Sequence, residues 1–163
     1  MQQQQVGQSL IARHQTITSA ESLTAGLFVA TLAEVSGISA VLPGAFVTYA
    51  AAAKTKLVGV PAELITTYGV VSDQVARAMA RGAQEKLATD WAISFTGVAG
   101  PDALEGHPAG TVYIGVATPS GKTLAQRYQF QGDRQAVREA SVAAGFDWLA
   151  VLLSEESYFC QMC

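Results

Sequence analysis

The 163-residue chain is half hydrophobic and only 14% charged, which suits one compact domain with a substantial core and argues against disorder. Its net charge of −3 offers no basic footprint for nucleic acid. No apolar run reaches the roughly 18 residues that a membrane span needs, and "MQQQQVGQSL" lacks a basic stretch followed by an apolar one, so the expectation is a soluble, cytoplasmic protein without a signal peptide. In chain order, residues 2–13 read as a helix and "TITSA" (16–20) as a strand rich in β-branched residues. An apolar helix follows over 22–35. Leu23 and Leu27 lie on one stripe, and Phe28, Leu32 and Val35 on another, so it should be covered on most sides, and its apolarity suggests self-association. "GAFVTY" (44–49) reads as a strand, and "PAELITTYG" as a short helix with Pro61 at its first position. Ser72 should cap a helix reaching Leu87, with Val75, Met79, Ala83 and Leu87 on one face. "WAISFTG" (91–97) is nearly all apolar and should be a central strand, and "GTVYIGVAT" and "KTLAQRYQF" around "PSG" read as a hairpin. Asp133 should cap a final helix whose stripe is Val137, Ser141, Ala144, Trp148 and Leu152. The alternation predicts an α/β chain folded as a three-layer α/β/α sandwich with a mixed, mostly parallel sheet. The domain should span residues 1–163, with its core over about 6–153 and a frayed tail over 154–163.

Several motifs invite chemistry. Cys160 and Cys163 form one C-x-x-C, short of the four ligands zinc wants, and the only histidines, His14 and His107, are far away in sequence. "GVATPSGKT" resembles a phosphate loop, but five residues separate Gly115 from Gly121 where four are needed, and a hairpin turn reads better. "TGVAGPD" (96–102) follows the central strand, where ligands gather in open α/β sheets and glycines let backbone N–H groups approach an anion. Ser22, in "TSAESLTAG", stands at a strand-to-helix junction. It can cap the helix, or act as a nucleophile beside the positive end of the helix dipole. A nucleophile needs a base. His14 and His107 are poorly placed, and Lys54 is the notable lysine, because "FVTYAAAAK" brings it from a buried strand with no charge among the preceding residues. Desolvation lowers a lysine pKa and makes it a base.

Taken together and in order, "SAESLTAGL", "GAFVTYAAAAK", "VGVP", "YGVVS", "FTGVAGPD", "HPAGTVYIGVA" and "FQGDRQAVREA" resemble the C-terminal domain of the competence/damage-inducible protein CinA, a domain that also exists alone as nicotinamide-nucleotide amidohydrolase. The resemblance covers about residues 6–153. It implies a three-layer α/β/α fold and hydrolysis of the carboxamide of nicotinamide mononucleotide (NMN) to nicotinate mononucleotide and ammonia, without cofactor or metal. By motif position it places the nucleophile on Ser22, the base on Lys54 and an assisting tyrosine on Tyr49. It also puts Thr24, Gly97, Ala99, Gly100 and Arg134 on the substrate, Arg134 toward its phosphate. The implied partners are a small nucleotide and further copies of the chain. The sequence departs from the family's usual "ESCTGG" at Leu23 and Ala25, and from "YSNEAK" at Ala50, Ala51 and Ala52. That alanine run keeps a second reading open: a nucleotide-binding or assembly module of the same fold with a degenerate site.

Overall fold

The computed structural model describes residues 2–161. Its elements in chain order are α1 (Gln2–Arg13), β1 (Ile17–Glu21), α2 (Leu27–Leu32), a 3-10 turn (Ile38–Ala40), β2 (Phe46–Val47), α3 (Ala51–Val58), α4 (Ala62–Tyr68), α5 (Asp73–Leu87), β3 (Trp91–Gly97), β4 (Thr111–Ala117), β5 (Thr123–Gln129) and α6 (Arg134–Gln161). The strands form one sheet of order β2-β1-β3-β4-β5. β1 pairs in parallel with β2 and β3, and β4 is antiparallel to both β3 and β5, so four of the five strands run one way. The sandwich has the three expected layers. No helix among the described residues is long and apolar enough to cross a membrane.

The two faces of the sheet are built differently. Trp91, Ile93, Phe95, Val112, Ile114 and Val116 point toward α1, α2 and α6, where they meet Val6, Leu10, Phe28, Leu32, Phe146 and Leu149. Phe28 sits at the centre, its ring 4.5 Å from that of Phe146 and 5.4 Å from that of Phe95. Each such side chain contributes about 1.5–3 kcal/mol through burial. The opposite face carries Ala20, Ala92 and Ala117, packed against the Ala80 and Ala83 side of α5. Small residues let α5 lie close. A Cβ on Gly115 would meet the Ala76 carbonyl at 2.3 Å, and Ser94 Oγ donates to that same carbonyl at 2.6 Å.

The structure corrects several expected boundaries. The apolar helix does not begin at Ser22. It starts at Leu27, after Ala25 and Gly26 adopt φ of 49° and 95° and break the helical path. Leu23, Phe28, Leu32 and Val35 are all buried in the chain's own core, so their apolarity gives no argument for self-association. "GAFVTY" yields only a two-residue strand at the sheet edge, with Val47 49% exposed, because its neighbour β1 ends at Glu21. The alanine run is the first turn of α3, as suits the residue with the best helix propensity. Pro61 is the cap of α4, one position before its first helical residue. Ser72 caps α5 as expected, its Oγ accepting from Val75 N at 3.2 Å, and Asp133 Oδ1 accepts from Ala136 N at 2.9 Å. The buried stripe of α6 is Val137, Ser141, Val142, Phe146, Leu149 and Leu153; Trp148 and Leu152 are only partly covered. α6 continues to Gln161, past residue 153, and Cys163 lies outside the described residues.

Ala88 closes α5 in the left-handed region at φ 50°, ψ 46°, on the surface. A side chain there costs about 1–2 kcal/mol that glycine avoids, less what glycine loses in chain entropy. Ala88→Gly should stabilise the protein by roughly 0.5–1 kcal/mol and raise Tm by about 1–4 °C, as read by thermal or urea unfolding.

Candidate active site

The parallel part of the sheet sets where a site can form. β1 and β3 run side by side in one direction, with Glu21, the last residue of β1, opposite Phe95, shortly before β3 ends at Gly97. The segments leaving them, Ser22–Gly26 and Gly97–Asp102, therefore emerge at the same edge, at the carboxyl ends of the strands. Ser22 continues the β1 path, its N donating to Phe95 O at 2.9 Å, while its carbonyl accepts from Ala25 N at 3.1 Å. That tight turn replaces the expected helix start, so Ser22 does not cap α2. The cap is Glu21, a residue the sequence analysis passed over. Its fully buried carboxylate accepts from Phe28 N at 2.9 Å and Val29 N at 3.1 Å, and from Ser19 Oγ at 3.1 Å. The available signal was a lone acid closing an apolar strand.

Lys54 reaches the same point from α3. Its side chain is 1% exposed, and Nζ donates to Thr48 O at 2.8 Å, Ser22 Oγ at 3.0 Å and Tyr49 O at 3.3 Å. Ser22 Oγ is itself 3.3 Å from Tyr49 O. Burial pulls the Lys54 ammonium down from 10.5 to about 8, against an upward pull from the Glu105 carboxylate. The geometry supplies a reason for the lysine to be neutral. An amine has two N–H hydrogens and one lone pair. With Thr48 O and Tyr49 O taking the hydrogens, the lone pair is left for the Ser22 hydroxyl to donate into.

The pair opens into a cavity of about 420 Å³ lined by Ser22, Lys54, Tyr49, Gly97, Ala99, Gly100 and Arg134, with Leu23, Val70, Thr96, Asp102 and Leu104 among the other walls. Seven of the eight residues expected at the site thus surround one space. The eighth, Thr24, does not line it. It lies fully buried behind Ser22, and its Oγ1 has no partner among the described residues. Gly97 is required by close packing, since a Cβ would meet Thr111 O at 2.5 Å, and Gly100 by its φ of 94°. The Tyr49 phenol turns to Arg134, whose Nη2 donates to it at 2.7 Å, while only the Tyr49 carbonyl reaches Ser22 and Lys54. Arg134 Nη1 also donates to Gly100 O at 2.6 Å, bracing the "TGVAGPD" turn against Tyr49. Glu105 fastens the following loop by accepting from Val70 N at 3.1 Å and Val71 N at 3.2 Å. Ala50, Ala51 and Ala52 are exposed and line no part of the cavity. Among the described residues, no group of three or more His, Cys, Asp or Glu side chains is assembled that could hold a metal ion.

The family model for the CinA C-terminal domain matches residues 1–153. The chain belongs to the CinA C-terminal domain family. It is 55% identical over 148 residues to a protein of Lactiplantibacillus plantarum and 56% identical over 144 residues to one of Levilactobacillus brevis, covering 91% and 88% of this chain. Both relatives are named for competence and damage induction, and neither name states a reaction. The chain spans only 35% of the length of each, about a third. Solved structures of CinA-type domains match it nearly end to end. A CinA superfamily protein from Klebsiella pneumoniae superposes with a TM-score of 0.91 at 32% identity, over 94% of this chain and 96% of that one. A competence/damage-inducible protein from Agrobacterium tumefaciens does so with 0.86 at 31%, over 94% and 96%.

The depressed Lys54 pKa makes a stability prediction for this CinA-type domain. Between about 8 and 10.5 the unfolded chain holds a proton that the folded chain has released, so stability rises with pH across that window. The stability difference between wild type and Lys54→Met should move by roughly 3 kcal/mol in favour of wild type from about pH 7 to about pH 11. Urea unfolding of both proteins across that range measures it, and a flat difference would show a lysine with an ordinary pKa.

Proposed function

We propose that this CinA-type domain is an amidohydrolase that cleaves the carboxamide of nicotinamide mononucleotide to nicotinate mononucleotide and ammonia by a Ser/Lys mechanism. One observation carries the reading: a buried lysine with a lowered pKa whose Nζ lies 3.0 Å from a serine Oγ at the wall of a cavity. A structural lysine gains nothing from such burial, whereas a base needs it. At pH 7.5 an ordinary lysine is neutral in about one molecule in a thousand, and one with a pKa near 8 in about a quarter.

Neutral Lys54 takes the Ser22 proton as Oγ attacks the carboxamide carbon. The new tetrahedral oxygen carries the negative charge. The C–N bond then breaks, and the Lys54 ammonium gives its proton to the departing ammonia. Water enters, Lys54 takes one of its protons, and attack on the acyl carbon releases the acid and returns Ser22 its proton. The carbonyls of Thr48 and Tyr49 hold the lysine through both halves. Arg134, at the cavity mouth, is suited to pair with the substrate's phosphate. The exposed position of the alanine run works against the degenerate-site reading, since the polar support of Lys54 comes from backbone carbonyls that alanines leave in place.

Ammonia release from NMN by purified protein tests the reading. Ser22→Ala should lower kcat by at least about a thousand-fold without loss of fold, and Lys54→Arg should be nearly as damaging as Lys54→Ala because arginine cannot release its proton. NMN binding without turnover, in a folded protein, would leave the degenerate module instead.

The pH profile gives a second test. kcat/KM should rise with pH through a single ionisation near 8. Glu105→Gln removes the charge that favours the ammonium, so it should move this limb to lower pH. An unmoved limb would assign the ionisation to another group.

Arg134→Ala should weaken NMN about 10- to 150-fold and nicotinamide riboside much less. Equal losses on the two would leave Arg134 a bracing role alone.

A further inference from the structure

The turn carrying Ser22 is gripped from outside by a side chain that the steps above do not use. Arg138 lies one helical turn after Arg134 on α6. Its Nε donates to Leu23 O at 3.0 Å and its Nη2 to Thr24 O at 3.0 Å, across more than a hundred residues of sequence. Its Nη1 is steadied by Gln135 Oε1 at 2.9 Å. Thr24 O accepts in addition from Leu27 N at 2.9 Å, and Ser22 O from Ala25 N at 3.1 Å. The three successive carbonyls of the turn are therefore all held.

The amides of the same turn are not. Leu23 and Thr24 are 4% and 0% exposed, yet their backbone N–H groups donate to no acceptor among the described residues. Buried N–H groups are rarely left so, because each loses its water without gaining a partner. Leu23 lines the cavity directly after Ser22 and Thr24 does not, so it is the Leu23 N–H whose missing acceptor points to a ligand oxygen. The N–H of the residue after the nucleophile is a recurrent oxyanion donor in hydrolases with a strand-to-helix nucleophile turn.

Arg138 sets the direction of both amides. A trans peptide points its N–H opposite to its C=O. Holding Leu23 O therefore fixes where Thr24 N–H points. Holding Thr24 O fixes Ala25 N–H, which lies on Ser22 O and so fixes Leu23 N–H. A guanidinium on the carbonyl end also polarises each peptide unit and strengthens its N–H as a donor. We propose that Arg138 is a positioning residue that, by clasping the carbonyls of Leu23 and Thr24, holds the turn so that the free Leu23 N–H is aimed at the oxyanion formed when Ser22 attacks. The proposal rests on the amidohydrolase reading.

A purely structural clasp between α6 and the turn would behave differently, and a tetrahedral probe separates the two. Pyridine-3-boronic acid accepts the Ser22 Oγ lone pair at boron. A B–O bond forms, no bond to boron breaks, the serine proton passes to Lys54, and a tetrahedral boronate anion results. The ribosyl 5′-phosphate of unsubstituted pyridine, which has no oxygen at the reacting position, asks nothing of the oxyanion donors. Arg138→Met should lower kcat for NMN by about 10- to 100-fold, somewhat less than removal of a direct oxyanion donor, with KM within about twofold. It should weaken the boronate by a similar factor and leave binding of the unsubstituted pyridine nucleotide unchanged. Arg138→Lys should not restore activity, since one ammonium cannot reproduce the fork on two carbonyls. Boronate affinity is read by calorimetry, with Ser22→Ala as control and Tm for each variant. Ser22-dependent boronate binding that is indifferent to Arg138 would overturn this proposal alone. So would parallel losses of kcat, unsubstituted-nucleotide binding and Tm, or full rescue by lysine. Boronate binding by the wild type that does not need Ser22 would overturn the amidohydrolase reading with it.

Discussion

The buried Lys54 amino group is the constraint around which this end of the molecule is arranged. A charged or even neutral amine cannot lose its water without partners, and these come from two separate pieces of chain. Thr48 and Tyr49 lie just past the two-residue strand β2, Ser22 just past β1, and Lys54 itself in the second turn of α3. The short, exposed β2 makes sense in this light. A longer strand would hold Thr48 and Tyr49 in extended backbone, where successive carbonyls point to opposite sides and cannot converge on one amine. Ending the pairing at Val47 opposite Glu21 frees both carbonyls to turn toward the lysine.

The sheet supplies the second part of the arrangement. β1 lies between two parallel neighbours and ends beside the last residues of β3, so the Ser22 turn and the glycine turn "TGVAGPD" face one crevice. The rest of the fold keeps those two ends fixed. Large residues on one face and alanines with Gly115 on the other seat the helices at different depths, and α5 lies close against the backbone of the central strands. A site whose distances must hold to a few tenths of an ångström benefits from being mounted on strands buried on both faces.

What was legible in the sequence follows from which interactions are local. β3 spans the expected 91–97, the β4–β5 hairpin falls where "PSG" places it, and the Ser72 cap of α5 is made by its own side chain. Each is specified by neighbours in sequence. Ser22 and Lys54 stood out in the residues, Lys54 as the candidate base because of its apolar run-in, and resemblance to a family then assigned their pairing across 32 positions. The apolar run 22–35 was misread as one helix, since an alanine at positive φ leaves no mark on a periodicity. "YAAAAK" was read for what its side chains lack, and its helical character and its indifference to the cavity were missed. Glu21 and Arg138 were invisible for a common reason. Both act on backbone groups, Glu21 on the amides of Phe28 and Val29 and Arg138 on the carbonyls of Leu23 and Thr24, and a backbone partner carries no residue-type signal.

The first two turns of α6 bring these threads together. Asp133 satisfies an amide at the helix start, which leaves the arginines that follow to reach outward. Arg134 ties the glycine turn to Tyr49, and Arg138 ties down the nucleophile turn. One helix end thus holds three of the segments that surround the Ser/Lys pair, four helical positions apart and on one face. Arginine suits both places for the same reason. Its planar fork reaches two acceptors from one rigid group, where a lysine would offer a single point charge. The two arginines divide the labour by exposure. Arg134 stands at the open mouth, where an incoming anion can share its donors, and Arg138 is more covered, with its donors already committed to carbonyls. The same helix face thereby presents one charge that lines the cavity and another that holds the backbone of the Ser22 turn.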